Sequence, residues 1–379
     1  MYLMQPANAK NRKDTIAKQE IRKILIIKGP GIGDVVTAIP LARNFKQKLG
    51  CEVHILEEFP PEKQGKIIMR DCPYIDKIMR LNYNIWYITP RSGHVFREIA
   101  TLRFIPDFFR FIRDILKLRK QKYDLVLEGF PGTKNTYVLT RLIAPKYRFC
   151  CSSHPLKKRY DAALEIRGKT IVELENSVFE KFGLETTQKD LELEIFFDRD
   201  KAKKISDHIF EEHGIENKGI VVGITTGQGY KRWQNSKWAK FIESMEGVKI
   251  VLLGDSGQQA DAEEIKKTSP KNITDLSGKL KLEETIAVMS RAKIFICTNG
   301  GLMWIAAALG LPTVVVSGPT PYWWDPHAPN VKVARKAGKA FYEQENYSWL
   351  QHARTEDVTV DDIVAAIKEL GGNNGKKRY

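Results

Sequence analysis

Short apolar segments alternate with longer amphipathic segments along most of the chain. Residues 22–28 (RKILIIK) and 51–58 (CEVHILEE) predict strands, and residues 35–50 between them predict a helix. The order strand, helix, strand is typical of a parallel sheet. A further strand is expected at 124–130, and a helix closed by a glycine at 169–184.

The second half of the chain starts the same alternation again. Strands are predicted at 219–227, 248–255, 293–301 and 312–318, with helices at 198–215, 235–247, 282–292, 301–310 and 358–372. We therefore predict an α/β fold with two Rossmann-like, doubly wound domains. The polar segment 185–197 lacks periodicity, so the N-terminal domain is placed at 1–190 and the C-terminal domain at 191–379. The final helix could pack back on the N-terminal domain.

Composition adds a strong positive charge to this picture. Lys and Arg number 61 against 46 Asp and Glu, a formal net charge of +15, which favours anionic partners such as nucleic acid, an acidic lipid surface or phosphorylated substrates. Five cysteines without a CxxC pair predict reduced thiols in a cytosolic protein, and the scattered histidines predict no metal site. Residues 1–20 have no apolar region and predict no signal peptide.

Residues 294–324 carry no charge and are long enough to consider as a membrane span. However, Asn299, Gly300–Gly301 and Pro312 divide the stretch into short pieces. A buried strand, a helix and a second buried strand fit this pattern better.

The glycine-rich segment 29–34 (GPGIGD) joins the first strand to its helix. Such a loop brings backbone N–H groups close to a ligand, and the start of a helix favours anions. Asp34 could be a helix-capping residue or a catalytic carboxylate at the ligand-binding edge of the sheet, and this loop alone favours neither. Glu57 and Glu58 end the next strand where a ribose-binding acid would lie, so a dinucleotide-dependent dehydrogenase is an alternative.

Two loops of the second half have groups that suit a diphosphate. Thr225 and Thr226 follow a buried strand, and Lys231 then adds a compact cation. Asn299-Gly300-Gly301 separates a strand from a small-residue helix whose N-terminal amides form an anion site. A structural turn is the alternative for these glycines, although paired glycines are costly unless the backbone must approach another group closely.

Two other segments have competing interpretations. Asp198-Arg199-Asp200 spells a metal-diphosphate pattern, but it opens a polar helix, so capping is the preferred interpretation. Residues 104–122 place Phe104, Phe108, Phe111 and Ile115 on one helical face beside many basic residues. This segment is either an interfacial helix on an anionic membrane or, more commonly, a core helix with a solvated basic face.

Taken together, the segments resemble the ADP-heptose:lipopolysaccharide heptosyltransferase family of GT-B glycosyltransferases over about residues 22–320. The most specific segment is 275–320 (DLSGKLKLEETIAVMSRAKIFICTNGGLMWIAAALGLPTVVVSGPT). The resemblance implies a GT-B fold with a central cleft. It implies inverting, metal-independent transfer of a sugar, expected to be heptose, from an ADP-linked nucleotide-sugar to a lipopolysaccharide-type or other glycan acceptor, without a cofactor.

The resemblance also implies roles for individual residues. Asp34, in the loop with Gly31 and Gly33, matches the general base, and Lys231 matches the diphosphate cation of the reaction. The donor-binding positions are expected at Thr225, Thr226, Gln258, Leu280, Asn299, Gly300, Gly301 and Trp304. Relatives usually have Asp where this chain has Asn299 and His where it has Trp304, and both departures lie in the expected donor pocket.

The expected partners are a nucleotide-sugar donor and an anionic glycan or lipid-linked acceptor, with no nucleic acid. The expected location is the cytoplasm, with peripheral contact to the cytoplasmic face of the inner membrane through residues 104–122. Two alternatives stay open: a catalytically silent relative that binds glycan or nucleotide, which the departures at Asn299 and Trp304 motivate, and an NAD-dependent dehydrogenase.

Overall fold

The structure is a computed structural model that describes residues 17–29, 31–57, 64–81, 104–129, 132–165, 168–215, 220–223, 229–245, 247–267, 272–337 and 354–373. Within these ranges the chain forms two parallel sheets of six strands each. Helices lie between most successive strands in both halves, and 3-10 turns connect the others. The predicted α/β class with two doubly wound sheets is confirmed.

The N-terminal sheet has the strand order β3-β2-β1-β4-β5-β6. Its central strand β1 is a run of buried aliphatic residues, as expected of a parallel strand covered on both faces. The strands are β1 (Lys23–Lys28), β2 (Glu52–Glu57), β3 (Lys77–Arg80), β4 (Leu125–Glu128), β5 (Tyr147–Cys151) and β6 (Ala162–Leu164). The helices are α1 (Ile32–Asn44), α2 (Gln64–Met69), α3 (Phe104–Lys120), α4 (Lys134–Ile143) and α5 (Ile171–Asn176).

The C-terminal sheet repeats this topology, with the order β12-β11-β10-β7-β8-β9. In each sheet the first strand of that half has the second strand on one side and the fourth strand on the other, so the strand order reverses there. Open α/β sheets bind ligands at such a point of reversal. The strands are β7 (Ile220–Gly223), β8 (Ile250–Leu253), β9 (Ile273–Asp275), β10 (Phe295–Thr298), β11 (Thr313–Val316) and β12 (Val331–Ala334). The helices are α6 (Arg199–Glu212), α7 (Asn235–Glu243), α8 (Gln259–Lys266), α9 (Leu282–Met289), α10 (Gly301–Ala308) and α11 (Val360–Asn373).

Residues 294–324 contain β10, α10 and β11, the buried strand, helix and strand that the sequence favours over a membrane span. No helix among the described residues is long and apolar enough to cross a bilayer.

The five cysteines are all buried as free thiols. Burial raises the pKa of Cys51 to about 12 and of Cys72 to about 11, so these two thiols stay protonated at neutral pH.

One expectation needs correction. The helix expected at 169–184 is an α-helix only over Ile171–Asn176, and it continues as a tighter 3-10 segment over Ser177–Phe182. The buried residues of the final helix α11 join the core of the C-terminal sheet. The Trp233 indole N–H also donates to the carbonyl of Val358, 2.9 Å away, just before α11.

The segment between the two sheets is fastened to the end of α1. Arg43 donates to the carbonyls of Lys189, Asp190 and Glu192 and pairs with the Glu194 carboxylate. Asn44, the last residue of α1, donates to the Asp190 carbonyl at 2.9 Å. The connection is therefore held by side chains of one helix, although its own sequence lacks periodicity.

Candidate active site

The starts of α1 and α10 meet between the two sheets. A methyl group added at Gly301 would lie 2.8 Å from the Ile32 Cβ, and one added at Gly33 would lie 2.7 Å from the Trp304 Cδ1. Real Cβ atoms essentially never approach other atoms this closely. The paired glycines predict that the backbone approaches another group closely. At Gly301 that group is the helix α1.

Asp34 lies in the first turn of α1, where its carboxylate accepts a hydrogen bond from the Gly31 backbone N–H at 3.2 Å. Gly31 rather than Asp34 is the N-cap, and the aspartate closes the turn from inside the helix. Burial raises the pKa of Asp34 above its usual 3.8, while Lys28 and the Gly31 N–H oppose the shift. The carboxylate is therefore a stronger base than a solvent-exposed aspartate.

A buried ion pair lies beneath this turn. Lys28 ends β1 with only 2% of its surface exposed, and its Nζ is 2.5 Å from Glu175 Oε1 and 3.1 Å from Thr37 Oγ1. The Thr37 hydroxyl donates to the Asp34 carbonyl at 3.1 Å. Sequence reasoning missed this pair, although a lysine at the end of an otherwise apolar strand was a signal.

Lys231 ends a short 3-10 turn, Gly229–Lys231, that follows β7. Its Nζ lies 5.8 Å from the centre of the Tyr230 ring. Burial lowers the pKa of Lys231 below its usual 10.5, and the negative charge of Asp325 opposes that shift. The predicted diphosphate cation is therefore partly shielded from water and close enough to Asp325 to feel its charge.

Asn299, Asp325 and Arg335 form a buried polar cluster where β10 and β12 end. The Asn299 Nδ2 donates to Asp325 Oδ1 at 3.0 Å. Both Asp325 oxygens accept from Arg335, at 2.6 and 3.1 Å. Sequence reasoning found Asn299 but missed its two partners. The available signal was that Asp325 is the first charged residue after the uncharged stretch 294–324.

The remaining predicted site residues have mixed outcomes. Gln258 is buried, and its side-chain oxygen accepts from the Asp255 N–H at 2.9 Å, so it caps a turn after β8. Leu280 is half-buried against the main hydrophobic core, before α9. Gly300 is the extended N-cap of α10. Thr225 and Thr226 lie outside the described residues.

The metal-diphosphate pattern at 198–200 is a helix cap. The Asp198 carboxylate accepts from the Lys201 backbone N–H at 2.9 Å at the start of α6, as the preferred interpretation predicts. Over the part of the chain that the structure describes, no group of three or more His, Cys, Asp or Glu residues is arranged to hold a metal ion.

Two six-stranded parallel sheets of the same doubly wound topology, with the first helix of one half against a helix of the other, are the architecture of the GT-B class of glycosyltransferases. The sequence model of glycosyltransferase family 9 (heptosyltransferase) matches residues 112–352, and the chain belongs to this family. It is 30% identical over 313 residues to lipopolysaccharide heptosyltransferase 3 of Escherichia coli, covering 79% of this chain and 83% of the relative. The chain is therefore a glycosyltransferase of the heptosyltransferase type, and a dehydrogenase is excluded.

Solved structures show the same fold. A family 9 glycosyltransferase of Veillonella parvula superposes with a TM-score of 0.69 at 18% identity, covering 92% of this chain and 97% of that one. The E. coli heptosyltransferase WaaC with ADP-2-deoxy-2-fluoro heptose gives a TM-score of 0.61 at 21% identity, covering 92% and 99%. The predicted GT-B architecture is confirmed.

The contact between Gly33 and Trp304 generates a stability prediction. Gly33→Ala should lower the free energy of unfolding by about 1–3 kcal/mol, because the methyl group overpacks against the indole. In a Trp304→Ala background the same change should become neutral or stabilising by up to about 1 kcal/mol, since alanine is the better helix former. Urea unfolding of the four proteins measures this coupling, and equal costs in both backgrounds would contradict the contact.

Proposed function

We propose that the protein is an inverting, metal-independent heptosyltransferase. It transfers heptose from an ADP-linked donor to a lipopolysaccharide-type or other anionic glycan acceptor. The observation that carries the proposal is the half-buried Asp34, whose pKa is raised, in the first turn of α1 where this helix meets the start of α10. The choice of nucleotide is supported by the similar WaaC structure, which contains the ADP-linked sugar ADP-2-deoxy-2-fluoro heptose.

In the proposed reaction, Asp34 takes the proton of an acceptor hydroxyl as its oxygen attacks the anomeric carbon of the donor. The bond from that carbon to the diphosphate oxygen breaks, and attack from the opposite face inverts the configuration. The leaving diphosphate gains negative charge, which Lys231 and the backbone amides at Gly300 and Gly301 would stabilise. Lys28 does not take part, because Glu175 already neutralises it.

Asp34→Asn tests the general base. The change keeps the shape and removes the basic oxygen, so kcat for transfer should fall by about 10²–10⁴-fold. The dissociation constant for ADP should stay within about twofold, since Asp34 belongs to the N-terminal half, where the acceptor rather than the nucleotide is expected to bind. Asp198→Asn, which alters a helix-capping aspartate on the surface, is the matched control and should keep full activity. Turnover of Asp34→Asn at the wild-type rate would remove Asp34 from this role.

Asn299 and Trp304 replace the usual residues of the donor pocket, so the identity of the donor needs a test of its own. A thermal-shift screen against ADP, UDP, GDP, NAD and ADP-heptose identifies the ligand, since a ligand that binds the folded state raises the apparent stability. Stabilisation by another nucleotide, or by ADP-heptose without transfer or donor hydrolysis, would contradict the proposed reaction.

The pKa shifts predict the pH dependence of kcat/KM. The rate should fall with decreasing pH through a value above 3.8, because Asp34 acts as its charged form and its pKa is raised. It should also fall with increasing pH through a value below 10.5, because Lys231 acts as a cation and its pKa is lowered. Lys231→Arg should move this basic limb upward, since arginine keeps its charge above about pH 12. An unmoved basic limb would assign it to another group.

We also propose that α3 contacts an anionic membrane at the cytoplasmic face of the inner membrane, close to a lipid-linked acceptor. Of the apolar face that the sequence highlights, Phe111 and Ile115 are buried in the N-terminal core, and the side chains of Phe104 and Phe108 lie outside the described part of the chain. A second apolar face is exposed, with Phe109 at 65%, Ile112 at 38% and Leu116 at 59%. Exposed basic side chains surround it: Arg110, Arg113, Lys117, Arg119 and Lys120.

Vesicle sedimentation tests this contact. The protein should bind vesicles that contain phosphatidylglycerol and bind pure phosphatidylcholine weakly, because basic side chains near the surface attract acidic lipids. Phe109→Ser with Leu116→Ser should weaken binding about tenfold or more, since both apolar side chains lose their burial. Val138→Ser, at a 48% exposed position on α4, is the control. Equal binding of the double variant and the wild type would disprove the contact.

A further inference from the structure

The Asn299 side chain has one satisfied and one unsatisfied polar atom. Its Nδ2 donates to Asp325, whereas its Oδ1 is buried and has no hydrogen-bond partner among the residues that the structure describes. The orientation of the amide is fixed by chemistry, because a carboxylate accepts and only the NH₂ group of an asparagine donates. The Oδ1 atom therefore has to point away from Asp325.

Asp325 is itself held rigidly. Its side chain is only 3% exposed, and both of its oxygens are engaged by Arg335. Arg335 in turn donates to the Ser317 hydroxyl at 2.6 Å and to the Thr320 carbonyl at 3.0 Å. Planar bidentate pairing of this kind fixes direction as well as distance. Rotation of the Asp325 carboxylate would break its hydrogen bonds to both Arg335 and Asn299.

The unsatisfied oxygen lies at the proposed donor site. Asn299 follows β10 directly and precedes Gly300 and Gly301, where α10 starts against Ile32 of α1. Leaving a buried acceptor without a donor costs free energy, because the atom has lost its hydrogen bonds to water and has gained none in return. A hydroxyl group that donates to this oxygen would recover that free energy, whereas a group that only accepts would not.

We propose that Asp325 is a positioning residue for the donor site. It holds the Asn299 amide so that the carbonyl oxygen, and not the NH₂ group, is presented to the ligand. Position 299 then accepts a hydrogen bond from a hydroxyl of the donor sugar. The inference deepens the proposed function and rests on it, since it needs a nucleotide-sugar bound between α1 and α10.

A reciprocal exchange of the two side chains tests the inference. Asn299→Asp places two carboxylates in contact, and Asp325→Asn removes the charge that orients the amide. Each single change should weaken ADP-heptose binding at least about fivefold. In the double variant an amide at 325 again donates to a carboxylate at 299, whose second oxygen takes the acceptor position. Its affinity should return to within about threefold of wild type.

Isothermal titration with ADP and with ADP-heptose separates the outcomes. ADP lacks the sugar, so its dissociation constant should stay within about twofold of wild type in all variants. Asp362→Asn, which alters a capping aspartate in the first turn of α11, is the control and should change neither constant. If Asp325→Asn does not fold, Asn299→Ala replaces it, because that change removes the amide and leaves the pair of Asp325 with Arg335 intact.

The two failures look different. A wild-type protein that binds neither ADP nor ADP-heptose would overturn the proposed function and this inference with it. A wild-type protein that binds both, with ADP-heptose affinity unchanged by the single variants, would overturn only the inference. A double variant that binds ADP-heptose no better than the weaker single variant would also overturn it, because Asp325 would then be merely structural.

Discussion

The close approach of α1 and α10 is the constraint on which the site depends. Two glycines make it possible, since a side chain at Gly33 or Gly301 would collide with Trp304 or Ile32. Asp34 comes one residue after the first glycine, and Asn299 two residues before the second. The packing of α1 against α10, which belong to different halves of the chain, therefore determines where the proposed base and the proposed donor pocket lie. Trp304 fills this junction with an indole that is 2% exposed.

Both halves of the protein contain a buried ion pair close to the site. Beneath the site each sheet buries a pair of opposite charges, Lys28 with Glu175 and Asp325 with Arg335, and each pair is neutral overall. Buried pairs of this kind contribute little net stability, because the desolvation of two ions offsets their attraction. In this structure the two pairs instead fix the orientation of neighbouring polar side chains. Each pair fixes a hydrogen bond to a neighbour, Thr37 in one half and Asn299 in the other.

The sequence predicts the parts of this protein that are local. Buried apolar runs, and the glycines and helical segments beside them, predict β1, α1, β10, α10 and β11. The short strands β3, β6 and β9 could not be predicted in this way, because their pairing depends on neighbours that are distant in sequence. Asp34 and Lys231 could be proposed as site residues because each follows a strand in a recognisable loop. Glu175 was not, because 147 residues separate it from Lys28. Asp325 was missed for the same reason, since 26 residues separate it from Asn299.

The fastening of α1 to the segment between the sheets has a mechanical consequence. Arg43 and Asn44 hold one end of this helix to residues 189–194, and Asp34 stands at the other end. Most of α1 between these two ends is fully buried in the hydrophobic core. The link between the two sheets is therefore tied, through one packed helix, to the residue proposed as the general base.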